Sequence, residues 1–481
     1  MSSKEPLVEA LEKYRKAGIY PLHTPGHKGG RGATASLHSL LGEKALASDV
    51  SLMAELDDIH EPGTCIKEAQ DLAAKLYGAK QSFFAVNGTT GAIHGMLLGA
   101  LEPGNKILLP RNAHTSVYGG LVLADLQPVY LLPNYSEEWN LSLQVTPEQV
   151  EAALSKDRDI KAVLITSPNY YGLAADLVKI AEIAHRHDAL LLVDEAHGPH
   201  LGFSPLLPPS ALQSGADAVA QSTHKLVGAL TQCSLLHIRG QRLEAGKVAA
   251  AMSLVTTTSP NYLLMASLDA ARAQLAANGE TMVEAAIQTA DLFRKKLRTI
   301  PGLMVLDGTI IGNGGVVAWD KTKVTINVKK LGLTGVEVGA LLRKAGIAVE
   351  LVDENNVLFF LTYADATQEF ANLADKIVAV IAAARRAKPR TATVSVYQDL
   401  PKVSRWPREA FFAVSETVPF AKAVGRTSAE KICFYPPGIP AVVPGEIITQ
   451  SLQEYCQAML ALGIHLTGPR DSTLKTVQVI K

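Results

Sequence analysis

Short apolar runs alternate with helical patterns from about residue 80 to residue 240. Ser82–Val86, Lys106–Leu109, Val129–Leu132, Ala162–Thr166, Ala189–Val193, Ala218–Gln221 and Ser234–Ile238 have the length and near-continuous apolar character of buried strands. Between them, Thr146–Leu154 and Leu173–His187 show the 3.6-residue spacing of amphipathic helices. Strands joined by helix-length connections predict a largely parallel sheet covered on both faces. Ligands of such sheets lie in the loops after the carboxyl ends of the strands. Upstream, Leu7, Val8, Leu11 and Tyr14 share one face of a predicted helix over Pro6–Ala17, stopped by Gly18. Downstream, a helical region runs over 241–299 and Pro301-Gly302 interrupts the chain. A second alternation then predicts strands at Val324–Val328, Ala348–Leu351 and Val357–Leu361, with helices over Gly335–Ala345 and Ala366–Ala387, a smaller α+β domain. Residues 389–407 read as a linker, and a Pro- and Gly-dense segment, Tyr435–Glu446, lies beyond it. The expected division is an arm over 1–50, a large domain over 51–300, a small domain over 301–390 and a C-terminal domain over 391–481.

A chain of 481 residues is too long for one core, in agreement with that division. Lys+Arg and Asp+Glu balance at 46 each, so no global field favours nucleic acid or an acidic membrane. Cys65, Cys233, Cys433 and Cys456 lack CxxC spacing, which argues against a zinc site or a disulfide framework and for free thiols in a reducing compartment. No apolar run approaches the roughly 18 residues of a membrane span, and no signal-peptide core is present. The expected location is the cytoplasm.

Four features fall at predicted strand ends. Asn87-Gly88-Thr89-Thr90-Gly91 opens a helical run, where outward N–H groups and the helix dipole suit a phosphate. An ordinary N-capping turn has the same appearance, and the lysine of a P-loop is missing. His114 follows the second strand; it is either a surface residue or a flat ring able to stack on another. Asp194, in Leu191-Leu-Val-Asp-Glu-Ala-His-Gly198, closes a buried strand and needs a partner. That partner is a helix cap, an internal cation, a metal held with His197 and His200, or the protonated ring nitrogen of a cofactor. Lys225, in Gln221-Ser-Thr-His-Lys225, also ends a strand, where lost hydration makes an amine nucleophilic. Each feature alone has an ordinary structural explanation. Together they form a phosphate cradle, a ring stacker, an acid for a ring nitrogen and a nucleophilic amine, which is what pyridoxal phosphate requires of a protein.

The chain also resembles the large-domain pattern of fold-type-I (aspartate-aminotransferase-like) pyridoxal-phosphate enzymes. Within them it is similar to the Orn/Lys/Arg decarboxylase family, especially its short bacterial arginine and lysine members. The matching stretches are His23–Lys28, Glu55–His60, Asn87–Thr90, Pro110–His114, Val193–Gly198, Ser222–Lys225 and Tyr435–Glu446. The response-regulator-like wing with which long members begin is not expected in a chain of this length. The resemblance implies a mainly parallel seven-stranded sheet in the cofactor-binding domain, a smaller α+β domain and a C-terminal decarboxylase domain. It implies that Lys225 carries the cofactor, Asp194 faces its ring nitrogen, His114 stacks on the ring and Ala196 lies against the opposite face. It places His197 near the cofactor's phenolic oxygen or behind Asp194, and Gly88, Thr89, Thr90, Ser222 and His224 around the phosphate. Thr256–Ser259 is expected to reach the neighbouring subunit of a homodimer or a dimer of dimers.

The reaction implied is decarboxylation of a basic amino acid in polyamine biosynthesis: arginine to agmatine, ahead of lysine and ornithine. Lys225 or His224 returns the proton to Cα. Glu446, Asp57 and Asp58 are the acids expected to meet the distal cation of the substrate. The alternatives are an aminotransferase of the same fold, whose carboxylate clamp would be an arginine such as Arg343; an inactive regulatory homologue; and a metallohydrolase built on Asp194, His197 and His200. No metal is expected.

Overall fold

The computed structural model describes residues 2–390, 397, 399–400, 402–435 and 438–481. Residues 391–396, 398 and 401 of the expected linker, and Pro436 and Pro437 of the segment Tyr435–Glu446, lie outside the described residues. All seven strand-like runs form strands: β1 (Gln81–Ala85), β2 (Lys106–Pro110), β3 (Gln127–Leu131), β4 (Ile160–Thr166), β5 (Leu190–Asp194), β6 (Ala218–Gln221) and β7 (Ser234–Ile238). The sheet order is β1-β7-β6-β5-β4-β2-β3. Pairing is parallel for β5 with β6, β2 with β3 and β2 with β4. It is antiparallel for β7 with both β6 and β1. The connection from β6 to β7, residues 222–233, holds only the single helical turn Thr223–Leu226 and no crossover helix, and the chain returns antiparallel.

The helices that support the site and its surroundings are α1 (Pro6–Lys16), α2 (Cys65–Tyr77), α3 (Gly88–Ala100), α4 (Thr115–Ala124), α5 (Ala245–Leu254), α6 (Tyr262–Leu297) and α7 (Pro407–Phe412). The helical region expected over 241–299 is therefore two helices, α5 and α6. They are parted by a run of hydroxyl residues and Pro260, after which the Asn261 side chain accepts from Leu263 N and Leu264 N to start α6.

The chain forms two compact units. The first comprises Met1–Ala100, Leu192–Phe203 and Ser210–Thr281. Its core joins Leu7, Leu11 and Tyr14 of α1 to Ile66, Phe84, Leu235, Tyr262 and Met265. The start of α1 is tied down by Asp269, which accepts from Leu7 N at 2.8 Å and pairs with buried Arg272 at 2.6 Å. Helix α3 lies so close to α5 that a Cβ on Gly99 would come within 2.6 Å of Val248 Cα.

The second unit comprises Leu101–Leu191, Ser204–Pro209 and Met282–Lys481. Besides β2, β3 and β4 it holds a four-stranded antiparallel sheet, Met304–Val305, Lys323–Asn327, Asn356–Phe360 and Leu351–Val352 in that order. Helices Gly335–Lys344 and Gln368–Ala384 belong to this part, and Phe293, Ile326, Val357, Phe359 and Ile377 share its core. Only the end of the expected strand Ala348–Leu351 becomes one. Toward the C-terminus, Ser415–Pro419 pairs with Thr476–Ile480, and Ile432–Tyr435 lies between Ile439–Val442 and His465–Thr467. Among the described residues no helix is long and apolar enough to cross a membrane.

Candidate active site

In the first unit, β5 and β6 run parallel and end side by side, so the turns after them deliver Asp194 and Lys225 to the same edge. Asp194 is 3% exposed. Its Oδ1 accepts from Ala196 N at 3.1 Å, and no hydrogen bond reaches Oδ2 among the described residues. Burial pushes this carboxyl above its ordinary range, against the pull of the Lys225 charge and the Ala196 N–H. Lys225 sits in a single helical turn, Thr223–Leu226, with Nζ 3.0 Å from Nε2 of buried His197. His224 turns its Nδ1 to Cys233 O at 2.8 Å, and burial lowers its pKa.

The glycine-hydroxyl turn meets the same edge. Gly88 opens α3 with φ +67°, a conformation that favours glycine, and nothing lies within 4 Å of where a Cβ would stand. Thr89 is buried; its hydroxyl contacts Ser222 Oγ at the end of β6 and lies 2.8 Å from Ser234 Oγ at the start of β7. Thr90 instead stands exposed on the first turn of α3. The sequence pattern missed Ser234, because a serine opening a strand carries no signal until its neighbours are known.

A second buried group also escaped the sequence reading. Glu195 is fully buried: Oε1 accepts from Ala211 N at 2.7 Å and Oε2 from Gln221 Nε2 at 2.6 Å. Gln221 Oε1 faces His237 Nε2 at 3.1 Å, and His237 Nδ1 faces Ser82 Oγ at 2.7 Å. Each donor in this chain points toward Glu195 when His237 is the neutral Nε2–H tautomer. Burial lowers the His237 pKa to about 3, in keeping with that neutral form. Burial lifts Glu195 to about 8, against its two hydrogen bonds and with a contribution from Asp194.

Two of the three acids expected to meet a substrate cation are committed elsewhere. Asp57, at φ +76°, accepts backbone N–H groups from Asp58, Gly63, Thr64, Ile66 and Lys67 and anchors the start of α2. Burial acts to raise its pKa, but the N–H groups of Gly63, Thr64, Asp58 and Lys67 outweigh burial and leave it lowered. Asp58 accepts from His60 N through Oδ1 at 2.9 Å, and its Oδ2 accepts nothing among the described residues. His60 in turn braces the α5–α6 connection, with Nδ1 2.7 Å from Ser253 Oγ and Nε2 3.0 Å from Thr257 O. Thr257, Thr258 and Ser259 are exposed.

In the second unit, His114 caps α4: its Nδ1 accepts from Ser116 N at 3.2 Å. Glu446, expected to be free for substrate, is buried and ion-paired with Arg111 at 2.8 Å, and also accepts from Val443 N at 2.9 Å. An acid in a Pro-Gly-Glu turn looks solvent-exposed in sequence; its partner lies 335 residues away. Arg343 is exposed on Gly335–Lys344. Among the described residues no group of three or more His, Cys, Asp and Glu side chains is arranged to hold a metal ion.

A family model described as the major domain of Orn/Lys/Arg decarboxylase matches residues 5–369, and its C-terminal counterpart matches residues 390–471. The chain belongs to the Orn/Lys/Arg decarboxylase family. It is 42% identical over 485 residues to an arginine decarboxylase of Halalkalibacterium halodurans, covering 100% of this chain and 99% of that one. It is 40% identical over 484 residues to an arginine decarboxylase of Bacillus subtilis, again covering 100% and 99%. The fold matches lysine decarboxylase A from Pseudomonas aeruginosa with a TM-score of 0.84, over 100% of this chain and 81% of that one, at 22% identity. The resemblance carried by Val193–Gly198 and Ser222–Lys225 thus holds for family, fold and reaction class: this is an amino-acid decarboxylase on the fold-type-I architecture.

Proposed function

We propose that this decarboxylase holds pyridoxal 5′-phosphate on Lys225 and converts L-arginine to agmatine and CO₂, acting as a homodimer in the cytoplasm. One observation supports it most: a buried carboxylate with an uncommitted oxygen, Asp194, on the same strand edge as a lysine amine steadied by His197. The donor set suits the cofactor. Thr89, Thr90 and Ser222 with the start of α3 would hold the phosphate, Asp194 the ring nitrogen and Ala196 one ring face, and the family resemblance gives the other face to His114. When bound, pyridoxal phosphate supplies an electron sink for the pair left at Cα as CO₂ departs.

The residues of the chain do the rest. Asp194, ionised beside a protonated ring nitrogen, keeps that nitrogen charged, and its burial strengthens the interaction. His197 accepts a hydrogen bond from Lys225 Nζ and so orients the amine; Lys225 or His224 then supplies the proton to Cα. Of the acids expected to read the distal cation, Asp58 is the one neither ion-paired nor ringed by backbone donors among the described residues. The names of the two full-length relatives support arginine over lysine and ornithine.

A product assay with arginine, lysine and ornithine in parallel tests the substrate. Agmatine is expected to dominate, and a tenfold preference for another amino acid would overturn arginine. Borohydride reduction followed by peptide mapping is expected to fix the cofactor on the peptide holding Lys225; label elsewhere ends the assignment. Sedimentation of the active enzyme is expected to show at least a dimer, consistent with an exposed Thr257–Ser259, and a fully active monomer would refute it.

A further inference from the structure

Helix α4 and the turn before it are gripped from the C-terminal segment at three places. At the turn, Arg111 donates to Pro440 O at 2.7 Å, Ala441 O at 3.0 Å and Glu446 Oε2 at 2.8 Å. At the first residue of α4, Thr115 N donates to Gly438 O and Lys431 Nζ donates to Thr115 Oγ1, both at 3.0 Å. At the far end, Arg408 of α7 donates to Val122 O at 3.2 Å and Leu123 O at 3.0 Å, where a helix leaves carbonyls unpaired. His114 lies between the first two grips, and its ring is fixed to α4 by the capping bond to Ser116 N. Wherever α4 goes, the imidazole plane follows.

We infer that Glu446, Arg111 and Lys431 are positioning residues for His114, so that the C-terminal segment sets the ring that stacks on the cofactor. This rests on the proposed stacking role of His114. Arg111 suits the task because its planar fork engages two carbonyls and a carboxylate at once while lying against Tyr118 and Tyr130, 5.4 and 5.5 Å from the ring centres. Tyr118 closes the loop by donating to Arg111 O at 2.8 Å and accepting from Arg111 Nη1 at 3.0 Å. Glu446 therefore acts through Arg111 on the ring stacker and has no need to touch the substrate.

The test is a double-mutant cycle in the full-length enzyme. Glu446→Gln and Lys431→Met are each made in the parent and in His114→Ala. The readouts are cofactor affinity, by spectral titration of the apoenzyme with pyridoxal phosphate, kcat and KM for arginine, and the melting temperature. Each clamp substitution is expected to weaken cofactor affinity by about tenfold in the parent and by less than about twofold in His114→Ala, the non-additivity of groups acting in series. Equal losses in both backgrounds, or no loss in either, would overturn the inference while leaving the role of His114 intact. If His114→Ala binds cofactor as tightly as the parent, the stacking role falls and the inference with it. Should Glu446→Gln fail to fold, Lys431→Met and the exposed Arg408→Ala carry the same comparison.

Discussion

Asp194 and Glu195 are neighbours in sequence with opposite assignments. Asp194 keeps one oxygen uncommitted and Glu195 has both occupied. Asp194→Asn keeps shape and removes charge, so kcat for arginine is expected to fall by roughly 10²- to 10³-fold, the scale of losing one preorganised electrostatic contact. An activity within tenfold of the parent would count against its placement at the ring nitrogen. Glu195 faces Asp194, Gln221, His237 and Tyr77 and ionises near pH 8 in the folded chain, well above its ordinary 4.5. Its folded form therefore binds the proton more tightly, and its contribution to stability is complete below pH 4.5 and lost as pH rises through 8. His237 has the opposite sign, losing stability as pH falls from 6.5 toward 3, so Glu195 acts alone of the two between 6.5 and 8. Calorimetry across that window is expected to show a falling melting temperature in the parent and a shallower slope in Glu195→Gln. Lys225, Asp194 and the glycine-hydroxyl turn stood out in sequence only as a set, since each alone has an ordinary explanation. The structure brings Asp194, Lys225, Thr89 and Ser222 to neighbouring strand ends. Glu195 did not stand out, since in sequence it is only the second acid of a doublet. For Asp57 and Glu446 the sequence left a substrate contact and an ordinary turn or salt-bridge role both open, because their partners, backbone amides and an arginine 335 residues away, are not visible in it.

The seven strands were readable because a strand buried on both faces is a nearly continuous apolar run. Direction was not, for hydrophobicity carries no arrow, and β7 turned back where the connection holds a single helical turn instead of a crossover helix. The break between α5 and α6 was hidden by helical periodicity on either side of it. Helix α3 offers a test at this scale. At Gly99 a Cβ would meet Val248 Cα at 2.6 Å and N at 3.1 Å, backbone that cannot step aside. At Gly95 it would meet Met252 Sδ at 2.3 Å, the movable end of a flexible side chain. Gly99→Ala is expected to destabilise the enzyme by about 1–3 kcal/mol in urea titration, and Gly95→Ala by clearly less. Because α3 begins at Gly88 and Thr89, Gly99→Ala is also expected to weaken cofactor binding, measured by spectral titration.

For the molecule as a whole, the sequence suggested a C-terminal domain but not what it grips, since the contacts of Arg111 with 440, 441 and 446 follow from folding alone. Ending the chain after Pro389 would remove every C-terminal partner of Arg111. A buried charge stripped of its partner costs about 3–5 kcal/mol, a large part of a typical 5–15 kcal/mol total. The shortened chain is expected to lose its cooperative melt and to aggregate, as circular dichroism and light scattering would report; a sharp parental transition would contradict this. The same pair bears on how such chains can be recombined. A chimera that takes residues 1–389 from this chain and the remainder from a relative inherits Arg111 from one parent and its acid from the other. Where the incoming segment has no carboxylate at the place of Glu446, the hybrid should fail however well its separate pieces are packed. Exchange points for building such hybrids belong where both residues come from one parent.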